Sequence, residues 1–318
     1  DWNPAEIIGS NPKKLDYSLY DFLIMKDSWS KGRQMLGYNN TNICLMQEFF
    51  GRPYVNVNAS FHSLLPSKIN IKLQKKLIKY FLKKLKEKPY LHDKVEFEIL
   101  FTCYDFSLRR KLKDLKKNNF TEKELKILEK ELINFTNKLI KQTPNILSKT
   151  NTSLKILETK RRESKNESGN YKDKLHKAEN LLKNCKKYGT IQFSAIARLA
   201  FVAKTLLNGV PEISNITKHE IDIFMNSIST SVTEFQKDLF YLKTKKLEKN
   251  EFLDKYGHLR PGTYDITVDR YDKMPEFLNS LKFLNIKKLP KIQKFKKNIE
   301  KIVKKHGLIF DEMNFFDF

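Results

Sequence analysis

Cysteine and glycine are scarce in this chain, and the motifs of several large protein classes are missing with them. The three cysteines, Cys44, Cys103 and Cys185, stand too far apart to suggest a disulfide framework or a metal-ligand pattern. The sequence contains no glycine-rich phosphate loop, no His-Glu-x-x-His zinc motif and no Gly-x-Ser-x-Gly nucleophile motif. These absences predict a chain without disulfides, suited to a reducing cytoplasm, that does not turn over substrate by itself.

Long apolar runs are missing as well. No stretch approaches the roughly 20 consecutive apolar residues of a membrane span, and no signal peptide opens the sequence. Hydrophobic residues nevertheless make up 40% of the 318 positions, enough for a substantial core in one large domain or two smaller ones. We therefore expect a globular cytoplasmic protein with no membrane partner.

Arginine is the third scarce residue, and its scarcity changes the meaning of a large positive charge. The formal net charge is +24, which on its own points to nucleic acid or to an anionic membrane. Lysine, however, outnumbers arginine by 52 to 9, and arginine is the usual residue for bidentate contacts to phosphates and bases. The composition therefore disfavours nucleic acid as a partner. A lysine-rich helical nucleic-acid-binding protein is kept as the alternative from a different functional class.

The periodicity predicts a mainly α-helical fold with a small β-sheet component. Apolar residues alternate through residues 95–104, which predicts the clearest strand, and a second strand is expected at residues 54–58. On the polar face of the first strand, Glu96 and Glu98 are expected to meet lysines or, less simply, to act as an acid–base pair. Gly32 and Gly37 mark looser chain.

Helices account for most of the remaining sequence. A capping box at Thr121 and Glu124 predicts a helix that runs to Lys141 and is stopped by Pro144. The charged residues 148–188 are expected to form a flexible insertion or an internal boundary, with residues 164–170 as the most loop-like part. Residues 220–241 read as one amphipathic helix.

Residues 194–207 differ from the other helices because apolar residues lie on nearly every face of the predicted helix. Such a helix belongs in the core. Arg198 lies within it and needs a partner there, because an unpaired buried charge is costly. It is expected either to close a structural ion pair or to point into a substrate cavity.

The stretch most suited to binding is the central loop, residues 256–272. It holds two of the ten glycines and two of the nine arginines, and Pro261 fixes a turn in it. Gly257 and Gly262 are expected to adopt backbone conformations closed to other residues. The loop presents an imidazole, a hydroxyl pair, a carboxylate and two guanidinium groups, supplied by His258, Arg260, Thr263, Tyr264, Asp265 and Arg270. This set suits a zwitterionic or anionic small molecule; a structural turn with surface charges is the alternative.

The central loop also carries a family resemblance. Its Tyr-Gly-His, followed by Arg-Pro-Gly and an acidic residue, resembles the substrate-binding domain of phosphoenolpyruvate-synthase-like and rifampin phosphotransferases. The variant found here is similar to the bacterial L-glutamine kinases of the capsule phosphoramidate pathway. Residues 1–9, 51–57, 97–104 and 197–203 extend the resemblance over most of the chain.

The resemblance implies a reaction and a set of partners. In this family ATP phosphorylates a histidine on a mobile domain, which carries the phosphoryl group to the amide of bound L-glutamine. ATP and Mg²⁺ would be bound mostly outside this chain, by ATP-grasp and phosphohistidine domains of the same polypeptide, and no cofactor is expected here. Pyruvate, an antibiotic or another amino acid is the alternative acceptor.

The resemblance also suggests a division of the chain. Residues 1–62, which begin without a methionine, would follow a missing ATP-grasp domain and carry short strands. Residues 63–190 form a helical/β region with the charged insertion. Residues 191–318 form the helical substrate-binding region that carries the central loop.

Individual roles follow from side-chain chemistry within that frame. Arg260 or Arg270 is expected to bind the substrate carboxylate, and Asp265 the amine or a proton to be removed. His258 would bind the amide or the incoming phosphoryl group, or would only fix the loop. Substrate contacts are further expected from Thr263, Tyr264, Arg198 and Arg52. Asp1 and Asn3 are an oxygen-ligand pair for a metal ion, with a turn set up by Asn3-Pro4 as the alternative.

Overall fold

The computed structural model describes residues 4–164, 169–262, 264–274, 276, 296–311 and 313–318. Its architecture is mainly α-helical with a small β component, which confirms the expected fold class. The helices in chain order are α1 (Pro4–Ile8), α2 (Lys14–Tyr20), α3 (Ser28–Leu36), α4 (Val57–Ser63), α5 (Ile71–Glu87), α6 (Val95–Glu98), α7 (Leu108–Lys117), α8 (Glu122–Glu163), α9 (Tyr171–Asn184), α10 (Ile191–Gly209), α11 (Lys218–Ser227), α12 (Ser231–Lys243), α13 (Lys249–Tyr256) and α14 (Lys296–Lys305).

Short non-α segments connect several of these helices. The π-helical segments Asp21–Met25 and Cys185–Thr190 continue α2 and α9. The 3₁₀ turns are Pro89–Leu91, Val210–Glu212 and Tyr271–Lys273.

The β component is a single hairpin within the described residues. Strand β1 (Met46–Phe49) pairs antiparallel with β2 (Arg52–Val55), with Met46 opposite Val55 and Phe49 opposite Arg52. The second predicted strand is therefore right as far as Val55 only. Asn56 caps α4 by accepting a hydrogen bond from the Ala59 N–H at 3.1 Å, so the chain turns helical at Val57.

Three hydrophobic clusters hold the helices together. The largest includes buried residues from Leu36 to Phe315, so all three predicted segments contribute to one core. A second cluster joins the N-terminal helices to the hairpin and contains Tyr20, Ile24, Met25, Trp29, Leu45, Met46 and Ala59. A third, formed by Leu239, Phe252 and Tyr256, joins α12 to α13. The second cluster contacts the middle of the central loop through Tyr264, and the third contacts its two ends through Tyr256 and Tyr271.

The prediction of a strand at residues 95–104 is wrong. Residues 95–98 form the single helical turn α6, and the following chain crosses the core without regular structure. Every residue from 99 to 106 is buried, so the apolar alternation reflects burial on all sides rather than a half-exposed sheet. Side chains replace a partner strand as hydrogen-bond partners: Thr136 Oγ1 accepts from the Tyr104 N–H at 2.8 Å, and Asp105 Oδ1 from the Ser107 N–H at 2.7 Å.

Arg198 forms a buried ion pair with Glu96, which lies in the segment 95–104. The guanidinium contacts the Glu96 carboxylate, and both side chains are only 3% exposed. Glu96 therefore does not meet lysines at a sheet surface, because the segment is helical and buried; Glu98, two residues on, is exposed. A second arginine, Arg33 of α3, is buried nearby and donates to Ser63 Oγ.

Helix α8 runs past the predicted stop. Its capping box at Thr121 and Glu124 is confirmed, but the helix extends over 42 residues and contains Pro144. Proline removes one N–H without ending the helix, because helical residues continue on both sides of it.

Two further segments differ from expectation. Residues 148–188, expected to form a flexible insertion or an internal boundary, are largely helical: α8 extends to Glu163 and α9 begins at Tyr171. Residues 220–241 form two helices instead of one, because Thr230 caps a new helix by accepting from the Thr233 N–H at 3.2 Å.

Helix α10 lies against α3 at short range. Ser194 Oγ donates to the Trp29 carbonyl at 3.1 Å, and a Cβ atom at Gly32 would lie 2.9 Å from the Ala195 nitrogen. Gly32 is thus a buried helical residue rather than part of a loose segment, and it is glycine because α10 leaves no room for a side chain. By length and composition alone, the helical stretch Tyr171–Glu212 that includes α10 would also pass as a membrane span, a test that core helices of soluble proteins pass too.

Gly32→Ala should lower the free energy of unfolding. Alanine gains about 1 kcal/mol of helix propensity, but overpacking in a rigid contact costs roughly 1–3 kcal/mol or more, so we expect a net loss of about 1–2 kcal/mol. Urea unfolding of the two proteins measures the difference. Gln34→Ala, on the exposed face of α3, is the control and should change little. Equal stability of Gly32→Ala and the parent chain would show that α3 and α10 can separate freely.

Glu96→Gln should destabilise the protein strongly and in a pH-dependent way. It leaves Arg198 buried without a counter-charge, which costs roughly 3–5 kcal/mol. Burial alone raises the pKa of Glu96, but Arg198 and Arg33 lower it below its ordinary value overall. A carboxylate with a depressed folded-state pKa stabilises the fold fully above its unfolded pKa, about 4.3, and loses that effect as pH falls through the folded-state pKa.

The difference between Glu96→Gln and the parent protein should therefore be largest near neutral pH and shrink in acid. Urea unfolding at pH 7 and at pH 3–4 tests this. Glu98→Gln, at the exposed position two residues away, should stay within about 0.5 kcal/mol of the parent at either pH. A pH-independent difference would place the effect in packing rather than charge.

Candidate functional site

The central loop leaves α13 through a closely packed stem. The Tyr256 hydroxyl donates to Asp238 Oδ2 at 2.8 Å. Backbone hydrogen bonds then close the stem, from the Tyr271 N–H to the Leu259 carbonyl at 2.8 Å and from the Asp272 N–H to the Gly257 carbonyl at 3.1 Å. The stem is therefore a fixed base for the rest of the loop.

The glycines of the loop do not play the expected part. Gly257 and Gly262 are absent from the positive-φ glycines, so neither uses a conformation closed to other residues. Gly257 is instead required by crowding, since a Cβ atom there would meet the Leu253 carbonyl oxygen and lie 3.0 Å from Asp272 Cβ. Around Gly262 there is ordinary van der Waals space.

The tip of the loop is anchored to the N-terminal helices by an aromatic pair. Tyr264 packs edge-on against Tyr20, with ring centroids 5.3 Å apart, and so joins the second hydrophobic cluster. Burial raises the pKa of Tyr264 to about 12, so its hydroxyl stays protonated at neutral pH. The residue therefore acts as a neutral anchor and hydrogen-bonding group, not as a base.

An ion pair between Lys13 and Asp265, which are distant in sequence, holds the loop beside α2. Lys13 Nζ lies 2.8 Å from Asp265 Oδ2 and donates to Thr267 Oγ1 at 2.6 Å. Asp265 Oδ1 accepts from the Thr267 N–H at 2.9 Å, and Arg260 Nη1 donates to the Asp265 carbonyl at 3.3 Å. The hydrogen bonds from Lys13 and Thr267 lower the pKa of Asp265 to about 2, so its carboxylate is ionised at neutral pH.

Between the loop tip and the N-terminal segment lies a cavity of about 330 Å³, which we call the loop cavity. It is lined by Ile7, Ile8, Gly9, Asn11, Pro12, Lys13, Asp16, Gly262, Tyr264 and Asp265. Asp16 is 6% exposed and accepts from the Lys13 N–H at 3.3 Å. The lining thus combines one ammonium group with two carboxylates on a mostly apolar floor. This arrangement matches a small molecule that carries both an anionic and a cationic group.

The structure brings only some of the predicted residues to this cavity. Tyr264 and Asp265 line it, and Arg260 contacts its wall through the Asp265 backbone. His258 is exposed in the turn after α13, and no hydrogen bond joins its side chain to the described part of the chain. Arg270 pairs with Asp272, with Nε 3.2 Å from Oδ1, and does not line the cavity.

The other predicted residues lie elsewhere. Arg52 lines a separate cavity beside the hairpin. Arg198 is paired with Glu96 in the core, so of its two expected settings the ion pair is the one observed. Asp1, Asn3 and Thr263 lie outside the described residues.

Two residues of the loop cavity escape sequence reasoning. Lys13 is one of 52 lysines, and nothing in its neighbourhood distinguishes it. Asp16 has a weak signal, since an acidic residue in the first turn of a helix is a usual capping feature, but that signal indicates α2 and not a ligand. Lys13 is marked only by its contact to Asp265, 252 residues away in sequence, and Asp16 only by its place in the cavity lining.

The chain matches no protein-family model, no curated protein and no solved structure. Within the described residues, no group of three or more His, Cys, Asp or Glu side chains could hold a metal ion. Function must therefore be argued from the loop cavity and from the sequence motifs.

Tyr264→Ala should release the loop tip while leaving the stem in place. Removing the ring takes away the contact with Tyr20, whereas the Tyr256, Tyr271 and Asp272 hydrogen bonds remain. Hydrogen exchange followed by mass spectrometry should show faster exchange at the Asp265 and Val268 amides and unchanged exchange at the stem amides. Leu259→Ala, at an exposed position in the stem, is the control. Uniformly faster exchange in both regions would mean that the loop is held as one unit.

Proposed function

We propose that this chain is the acceptor-binding region of an ATP-dependent phosphotransferase, and that the loop cavity binds a free amino acid, with L-glutamine as the expected acceptor. The observation that carries the proposal is the pairing of Lys13 with Asp265 at the wall of a cavity of about 330 Å³. The proposed reaction rests on the family resemblance of the central loop, and the charges and volume of the loop cavity support the proposed acceptor.

The charges of the loop cavity complement those of an amino acid. Its α-carboxylate would bind the Lys13 ammonium, and its α-ammonium would bind Asp265, with Asp16 nearby. In the free chain Lys13 and Asp265 neutralise each other. A zwitterion can insert between them because it offers each side chain a new partner of the right sign, whereas a ligand with one charge leaves one of them unpaired.

The cavity volume also suits this class of ligand. A volume of about 330 Å³ lies at the lower end of the roughly 300–1,000 Å³ of small-molecule sites. The apolar side chains of Ile7 and Ile8 would cover the methylene groups of glutamine and exclude water from one side. Its amide would have to remain at the mouth, where a phosphoryl donor can reach it.

The chain's own part in the reaction is binding and orientation. Lys13, Asp16 and Asp265 would fix the backbone of the amino acid, and Tyr264 would hold the loop against it. ATP, Mg²⁺ and the phosphohistidine would be supplied by other domains of the polypeptide, as the resemblance implies. His258, which is exposed, would be free to meet such a domain. Arg270, engaged by Asp272, is a weaker choice for the carboxylate than Lys13.

Lys13→Met and Asp265→Asn should each weaken L-glutamine binding about three- to tenfold. The estimate is modest because the Lys13 side chain is 59% exposed, so solvent screens the interaction. Titration calorimetry on the 318-residue chain measures it, with melting temperature recorded for each variant. Lys14→Met is the matched control, because the neighbouring exposed lysine does not line the cavity.

A second ligand separates the two charges. Glutaramate lacks the α-amine of L-glutamine, so Asp265→Asn should not weaken its binding, whereas Lys13→Met should weaken both ligands alike. No detectable binding of L-glutamine or of any other amino acid at millimolar concentration would refute the proposal. Equal effects of Lys13→Met and Lys14→Met would remove the loop cavity as the site.

A further inference from the structure

A second cavity lies beside the hairpin and differs from the loop cavity in size and chemistry. It has a volume of about 440 Å³ and is formed by α1, β2, α4, α5 and the chain around α6. We call it the apolar cavity. Three of its lining residues are buried, since Phe61, Ser60 and Val95 are 1%, 3% and 4% exposed. Part of its wall is therefore formed by residues of the packed fold.

Apolar side chains dominate the lining of this cavity. Val55, Val57, Phe61, Leu85 and Val95 all face it. Burying a methylene group against such a surface is worth about 0.8 kcal/mol, so an alkyl or aryl body would be retained and a fully polar molecule such as an amino acid would not. The apolar cavity is thus unsuited to the ligand proposed for the loop cavity.

One guanidinium group stands at the apolar cavity. Arg52 of β2 lines it, is exposed, and forms no side-chain hydrogen bond or ion pair with the part of the chain that the structure describes. The other titratable residues among the described lining are Tyr54 and His92. No Asp or Glu is found among the described lining residues, so an anion placed beside Arg52 would meet no like charge there. An unengaged guanidinium next to an apolar chamber selects a carboxylate with an apolar tail.

We propose that the apolar cavity binds an amphipathic organic acid, with its apolar body against Phe61, Leu85 and Val95 and its carboxylate on Arg52. The site is distinct from the loop cavity, although α1 is a wall of both: Ala5 lines the apolar cavity, while Ile7 and Ile8 line the loop cavity. The proposal does not depend on which molecule the loop cavity binds.

The test uses octanoate and its uncharged analogue octanamide, titrated calorimetrically into the 318-residue chain without L-glutamine. Octanoate should bind more tightly than octanamide by about tenfold, because only the acid can engage Arg52. In Arg52→Gln the two ligands should bind equally, at the octanamide level. Arg109→Gln, an exposed arginine of α7 outside both cavities, should leave the preference for octanoate intact.

Two further measurements locate the ligand body. Affinity should rise about three- to fourfold for each methylene added between butanoate and octanoate, as the tail fills the cavity. Ala5→Phe, which places a ring into the cavity, should abolish octanoate binding while the melting temperature and L-glutamine binding stay close to those of the parent chain.

The proposal would be overturned by the absence of octanoate binding at millimolar concentration, by equal affinity for octanoate and octanamide in the parent chain, or by unchanged octanoate binding in Ala5→Phe. None of them bears on L-glutamine binding, so this inference and the proposed function fail separately. If octanoate binding is lost equally in Arg52→Gln and Arg109→Gln, the acid is held by general positive charge and the site is refuted as well.

Discussion

An ion pair between Arg198 and Glu96 is buried in the core of this protein with a second arginine nearby, and the arrangement of the central helices depends on this group. Arg198 of α10 contacts Glu96, and Arg33 of α3 lies close enough for its charge to act on the same carboxylate. Burial lowers the pKa of Arg33 to about 9, because the charged guanidinium loses the water that would solvate it outside the core. Aromatic rings supply part of the difference: Arg33 lies 5.1 Å from the Trp29 ring centroid and Arg198 5.0 Å from that of Phe201.

Such a group stabilises a fold less than an apolar core would, but it tolerates few alternative arrangements. Moving α10 by one turn would leave Arg198 without Glu96, and Gly32 allows α3 and α10 to approach only where Ser194 crosses it. Trp29 of α3 belongs to the second cluster, against which Tyr264 of the central loop packs. The contacts between α3 and α10 therefore help to fix the position of the loop cavity, although they do not line it.

Local signals predict local structure well here, and they fail where a distant contact decides. The capping box of α8 is correct because Thr121 and Glu124 satisfy each other within one turn. The strand predicted at residues 95–104 fails because alternation records burial, and this segment is buried on all sides by helices that the local sequence does not reveal. Pro144 misleads for the opposite reason: a local penalty is outweighed by the helix that continues on either side. Gly257 is correctly singled out but for crowding, not for a special backbone conformation.

The candidate site shows the same division more sharply. Tyr264 and Asp265 stand out from sequence because they belong to a loop with unusual composition, and both line the loop cavity. The residues that face them in the cavity, Lys13 and Asp16, come from the other end of the chain. Lys13 is hard to single out because lysine is so abundant. Arginine, in contrast to lysine, is rare: with nine residues in the chain, each one can be considered individually. That inspection directs attention to Arg198, which is paired in the core, and to Arg52, which lines a cavity and has no side-chain partner among the described residues. Scarcity can therefore mark a residue as worth examining, but only its surroundings separate a charge that holds the fold from one left available to a ligand.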